Sequence, residues 1–331
     1  MNITIKKISI FYTFLTILLI MIAGLRLLGW ANDTANYYKM VIFQDELLLR
    51  YKEFLFRLIV FLNTKIFSSN FTMFLLIFAV IGVSIKMFAL VRLSPLPVLS
   101  IVLYLLSSFW LHEYIQIRAG VATGIFLLAT KDLVDENSKK YFLKAFLSIM
   151  FHWSSIIMIP IYFLVKYKNL KAYALLPIIG IILNILNVNI YFIIEFILNT
   201  IGIDPIFYTM YAGYQNNINE FNLVSISYIL VFYTITAVIF THRGTVNSYE
   251  IILYKIISIG IFTFFLVSLL NAPVVSFRLL EYFMVVLLLS IPFLVIKFKQ
   301  KLFASVLAIA YYSLFCYYLF TNVIGFEKGI L

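Results

Sequence analysis

Apolar runs long enough to cross a hydrocarbon layer recur from one end of this chain to the other. A helix needs about 20 such residues to cross. Lipid offers no partner for backbone N–H and C=O groups, so a spanning segment must satisfy them internally, as a helix does. The runs lack the strand-like alternation of a β-barrel. Only 12% of the 331 residues are charged and 64% are hydrophobic, whereas about a quarter of a soluble domain is charged. The expected fold is all-α: a polytopic transmembrane helical bundle, with residues 1–331 as a single integral membrane domain.

Nine full spans are expected: Ile8–Gly29, Phe71–Val91, Leu96–Leu111, Ile115–Leu133, Ala172–Val188, Asn222–Thr241, Ile251–Asn271, Phe277–Ile296 and Leu302–Phe320. The first is too long for a signal-peptide core and is read as retained, with a cytoplasmic N-terminus. Two stretches do not fit this scheme. Tyr51–Phe67 is amphipathic, with Lys52, Glu53 and Arg57 near its start, and is expected to be an interfacial or re-entrant helix. Tyr141–Val165 is interrupted by Phe151-His152-Trp153-Ser154-Ser155 and by Pro160, and lysines flank both ends.

The positive-inside rule favours a re-entrant hairpin for Tyr141–Val165, with His152 near its tip. Both lysine groups then stay inside, and the inner segments collect most of the 25 Lys and Arg. A single kinked span is the alternative. The long segments Trp30–Asn70 and Asn189–Phe221 fall outside, so the outer face is expected to carry function. The net charge of +11 is therefore a topology signal, and no nucleic-acid partner is expected. The single cysteine, Cys316, excludes an internal disulfide.

Ionisable residues at membrane depth are costly and mark candidate sites. At the outer ends of spans these are Arg26, Asp33, Glu113, Arg118, His152, Arg278 and Glu281. Arg118 follows Trp110, His112, Tyr114 and Gln116. It precedes Ala119, Gly120, Ala122 and Gly124, small residues that let helices approach closely. Arg118 is the sharpest candidate for a functional residue; its plainer reading is an interfacial anchor or a structural ion pair, with Glu113 as the partner. His152 is either a satisfied core residue or a proton acceptor. Arg278 and Glu281 are three apart and share a helix face. Lys86 is expected to snorkel to the inner boundary. Sparse carboxylates and histidines argue against a metal site, and no cofactor is expected.

Several of these residues carry a family resemblance. Gly29 through Asp33-Thr34 and Tyr37, then Gln116-Ile117-Arg118-Ala119-Gly120-Val121-Ala122, then Phe151-His152-Trp153-Ser154, and later Arg278 with Tyr282 and Phe283, occur in order. The chain thereby resembles the EpsG family of Wzy-type bacterial exopolysaccharide and O-antigen polymerases, most clearly over about residues 25–165. It departs from the family where Ala119 replaces the common glutamine.

The resemblance implies a membrane glycosyltransferase at the outer face of the bacterial inner membrane. Its donor and acceptor are oligosaccharides linked to undecaprenyl diphosphate, its surroundings are membrane lipid, and a chain-length-regulating co-polymerase is an implied partner. Arg118 and Arg278 would bind diphosphate. His152, Asp33 or Glu281 would be the base. Gln116, His112, Glu113, Tyr37 and Tyr282 would contact substrate, and Trp30, Trp110, Tyr208, Tyr211 and Tyr214 would stack on sugars or form an interfacial belt. Two rival classes are a polysaccharide O-acyltransferase and a lipid-linked oligosaccharide flippase. The latter predicts paired repeats, and none is evident. The topology itself predicts that an impermeant outside thiol reagent labels Asn217→Cys and leaves Ser138→Cys untouched. Labelling of Ser138→Cys from outside would contradict it.

Overall fold

The computed structural model describes residues 10–26, 32–43, 53–190, 200, 219–242, 244–270 and 273–323. Every regular element among them is helical. Its contacts divide into two compact units, Met1–Tyr162 with Leu288–Leu331, and Phe163–Leu287.

The first unit contains α1 (Ile10–Gly24), α2 (Asn32–Ile42), α3 (Phe54–Phe67), α4 (Phe71–Leu93) and α5 (Pro97–Leu105). A π-helical stretch, Phe109–Ile115, follows, then α6 (Ile117–Val134), α7 (Ser138–Phe151) and the short α8 (Met158–Leu164), whose last two residues belong to the second unit. The second unit contains α9 (Leu170–Ile185), α10 (Leu223–Thr241), α11 (Ser248–Ser268) and α12 (Pro273–Met284). Next come α13 (Leu287–Val295) and α14 (Lys301–Tyr318).

Asparagine starts many of these helices. The side chains of Asn70, Asn137, Asn169, Asn222 and Asn247 each accept a hydrogen bond from a backbone N–H in the first turn that follows. Such caps satisfy donors that the helix itself leaves unpaired. Asn247 and Glu250 bond reciprocally, each side chain to the other's backbone, closing a capping box.

This is a multi-pass membrane protein. Four described helices are long and apolar enough to cross, or six if each of two bent pairs forms one span. Among the described residues the expected count of nine spans is not confirmed, for identifiable reasons. The described α1 and α9 have 15 and 16 residues, or roughly 23 Å of rise, against a hydrocarbon core of roughly 30 Å. The Ile115–Leu133 run forms α6 but carries Arg118, Lys131 and Asp132. The Leu96–Leu111 run breaks by 57° between α5 and the π-helical stretch. Most of Asn189–Phe221 lies outside the described residues, as do Trp30, Tyr208, Tyr211 and Tyr214.

Residues Tyr141–Tyr162 turn back on themselves. A continuous helix would separate these two tyrosines by roughly 30 Å, yet their ring centroids lie 5.3 Å apart. The Tyr141 hydroxyl donates to the Met158 carbonyl at 2.7 Å. His152 sits at the tip in extended conformation, φ −155° and ψ 123°. The Ser148 hydroxyl bonds Ser155 Oγ at 2.8 Å across the turn and the Ala122 carbonyl of α6 at 3.0 Å. These contacts seat the tip against α6.

In the first unit, α2, α3, α4 and α6 meet in an aromatic core that includes Tyr37, Phe56, Phe74, Phe78 and Phe151. Small residues set the spacing of α4 and α6. A Cβ on Gly124 would lie 3.0 Å from Ile85 Cγ2. In the second unit, α11 packs against α9 and α12. A Cβ on Gly260 would collide with Phe283 at 2.5 Å. Lys255 of α11 donates to the carbonyls of Val165 and Tyr167, just beyond the end of α8.

Candidate active site

The π-helical stretch widens the turn ahead of α6, and its polar residues point inward. His112 and Glu113 are each only 2% exposed. Such π-turns concentrate at functional sites because they re-aim side chains. Glu113 Oε1 accepts from Lys86 Nζ at 2.6 Å and from the Tyr104 hydroxyl at 3.0 Å. Lys86 Nζ also donates to the Gly120 carbonyl at 2.6 Å. Gly82 and Gly120 make room for this group: a Cβ on Gly82 would sit 2.5 Å from Glu113 Oε2, and one on Gly120 would sit 2.6 Å from the His112 carbonyl oxygen. His112 Nδ1 lies 3.3 Å from Thr123 Oγ1.

Two expectations are corrected here. Lys86 does not snorkel; it is fully buried. Its ammonium finds a carboxylate and a carbonyl inside the unit, so it has no need of the water boundary. Nor does Glu113 pair with Arg118, because its carboxylate is taken by Lys86.

Arg118 stands in the first turn of α6 and is itself buried. Its partner is Glu53: Nη1 lies 2.9 Å from Glu53 Oε1. Arg118 Nε lies 3.5 Å from the Tyr37 hydroxyl, and the guanidinium carbon stands 4.9 Å from the centre of the Phe56 ring. Glu53 occupies the N-cap position of α3 in extended conformation, but its side chain does not cap the helix. It turns inward instead. Glu53 Oε1 also lies 3.7 Å from His152 Nδ1. One carboxylate thus faces an arginine from α6 and a histidine from the hairpin tip. Burial pushes the Glu53 carboxyl up, but the imidazole beside it and the Arg118 charge outweigh that and hold it below its ordinary range. Glu53 is therefore an anion at neutral pH, and its hold on both partners is lost only as pH falls below that range.

A profile of the EpsG family matches residues 9–331, nearly the whole chain. The chain belongs to the EpsG family. Members of this family are Wzy-type polymerases. No curated protein and no solved structure matches it.

The remaining candidates in this EpsG-family chain divide by position. Asp33 and Tyr37 are one turn apart on α2, and Tyr37 reaches Arg118. Gln116 joins the π-helical stretch to α6, its carbonyl accepting from Gly120 N at 2.8 Å. Arg278, Glu281 and Tyr282 share α12 in the second unit, with Tyr282 buried. Trp110 is engaged with the rings of Tyr114 and Phe320, at 5.0 and 5.1 Å. No three His, Cys, Asp or Glu side chains among the described residues group as metal ligands. Glu53 escaped the sequence reading because it sits among Lys52, Arg57 and apolar neighbours, a pattern that reads as the polar edge of an interfacial helix.

The Lys86–Glu113 contact predicts asymmetric mutational effects. Removing one member of a buried pair strands the other charge, at a cost of about 3–5 kcal/mol, whereas removing both charges is far milder. Thermal unfolding in detergent should show Lys86→Met strongly destabilised and Lys86→Met with Glu113→Gln largely recovered. Equal stability of wild type and Lys86→Met would refute the pairing.

Proposed function

We propose that this chain polymerises lipid-linked oligosaccharide repeat units at the outer face of the bacterial inner membrane. In the reaction, a sugar hydroxyl oxygen of the acceptor bonds to the anomeric carbon of the donor glycan. The bond from that carbon to the diphosphate breaks, undecaprenyl diphosphate leaves with the electron pair, and the hydroxyl proton passes to a base. One observation carries the reading. Glu53 brings Arg118 and His152, which lie far apart in the sequence, into one largely buried cluster.

The chemistry of the cluster suits this transfer. Charge grows on the diphosphate oxygens as the bond breaks, and a guanidinium fixed by Glu53 and Tyr37 favours that state over the ground state. His152 serves as base. The facing Glu53 carboxylate orients the imidazole through Nδ1 and stabilises the cation formed when it takes the proton. Glu53 itself then acts as a positioning residue for both. Asp33, one turn from Tyr37, and Gln116, at the head of α6, are substrate contacts in this reading, with His112 and Glu113 behind them. Arg278, Glu281 and Tyr282 on α12 form a further substrate-binding group.

In vitro polymerisation by purified, correctly folded variants tests this. Arg118→Ala should lower the rate roughly a hundred- to thousandfold. Arg118→Lys should also be severely impaired, since lysine lacks the planar fork. His152→Ala should slow turnover while donor binding survives. Glu53→Gln should cost roughly tenfold or more, because the amide cannot stabilise a charged imidazole. Near wild-type rates in both Arg118→Ala and His152→Ala would overturn the proposal. Because arginine supplies the positive charge, polymerisation should also continue in excess chelator. Arrest that a divalent ion reverses would refute that point.

A further inference from the structure

Among the described residues, the polar centre of the first unit contains a cation that pairs with no carboxylate. Lys86 is matched by Glu113 and Arg118 by Glu53. Arg26, just beyond α1, is held differently. Its Nη1 donates to two backbone carbonyls, Ala23 at 3.0 Å and Glu113 at 2.7 Å. Its guanidinium carbon stands 5.3 Å from the centre of the Tyr114 ring. Its Nε and Nη2 are buried and have no hydrogen-bond partner. A buried guanidinium with unused donors and no carboxylate is costly unless an anion completes it.

The unused atoms are informative. Nε and Nη2 form the edge through which arginine grips an oxyanion with two parallel hydrogen bonds. The two carbonyl bonds at Nη1 fix the plane of the group and so aim that edge. Arg26 is held against the π-helical stretch, at the Glu113 carbonyl and the Tyr114 ring. Arg118 stands just after the same stretch, in the first turn of α6. The Tyr37 hydroxyl lies 3.5 Å from Arg118 Nε, and α2, which carries it, packs against that stretch. Both arginines and Tyr37 therefore border one segment of backbone.

We infer that Arg26 and Arg118 together bind a prenyl diphosphate, one guanidinium to each phosphoryl group, with Tyr37 donating its hydroxyl to the same anion. This rests on the polymerase reading and deepens it: it names Arg26 as the residue that distinguishes a diphosphate from a monophosphate. The two arginines supply the charge that a diphosphate needs, whereas Arg118 alone, already shared with Glu53, supplies less. After glycan transfer the diphosphate still satisfies both arginines, so Arg26 holds the leaving group as well as the donor.

The test uses the purified full chain in detergent, with farnesyl diphosphate and farnesyl monophosphate as probes. Wild type should bind the diphosphate more tightly. Arg26→Lys keeps the charge and one donor for the carbonyls but lacks the Nε–Nη2 edge. It should weaken diphosphate binding about tenfold, the scale of one charge-assisted hydrogen bond, with little change for the monophosphate. Arg118→Lys should weaken both. Arg26→Gln should lose the preference for diphosphate altogether. Should Arg26→Gln fail to fold, Arg26→Lys decides alone, provided its melting temperature is that of wild type. Undiminished preference for diphosphate in folded Arg26→Lys would overturn the inference while leaving the polymerase reading intact. Failure of wild type to bind either probe would overturn both.

Discussion

A charge buried in an apolar chain must find its partner inside the protein, and the first unit is organised by that requirement. Lys86 and Glu113 meet at 2.6 Å with both side chains essentially inaccessible. The same ammonium holds the Gly120 carbonyl, and the carboxylate also accepts from Tyr104. Three backbone segments are thereby tied together: the middle of α4, the π-helical stretch and the first turn of α6. Arg118 lies within that first turn, so its position is inherited from a contact in which it takes no part. The cost of desolvating both charges makes such a pair a poor source of stability and a strong source of geometric constraint.

The same logic explains why Arg118 and His152 share one carboxylate. Arg118 cannot use Glu113, which Lys86 occupies; its carboxylate is Glu53, at the start of α3. The hairpin tip brings His152 to the same oxygen. The tip is itself fixed by Ser148, which bonds both Ser155 and α6. An arginine, a carboxylate and a histidine are thus assembled from three separate parts of the chain. Each is held by packing against the same aromatic core.

Much of the fold was legible in the residues. Apolar run length placed α4, α10, α11 and α14 within a few residues of their observed limits. The interruption at Phe151-His152-Trp153 marked the place where the chain turns back. The small residues after Arg118 marked α6 as a helix that a neighbour approaches closely; that the neighbour is α4 came from the structure. The charged residues resisted the same reading. Lys86 looked like a boundary lysine because hydropathy ranks a lysine by the sequence around it, and the carboxylate that pairs with it lies 27 residues away. Glu53 looked like part of a polar helix edge because it stands beside Lys52 and near Arg57. Within the expected spans Ile8–Gly29 and Ala172–Val188 the described helices hold 15 and 16 residues, and apolar composition does not specify where helical geometry stops.

By itself the sequence determined that this chain is helical and membrane-embedded, and which short motifs carry its family. Those properties are local: they depend on run length, on residues three or four apart, and on the order of short segments. Only the tertiary structure decided which charges meet. Glu53 and Arg118 are 65 residues apart, and Lys86 and Glu113 are 27 apart. Pairing at such distances depends on which helix faces pack together. In a chain with few carboxylates, a shift of one helical turn would hand each cation a different partner.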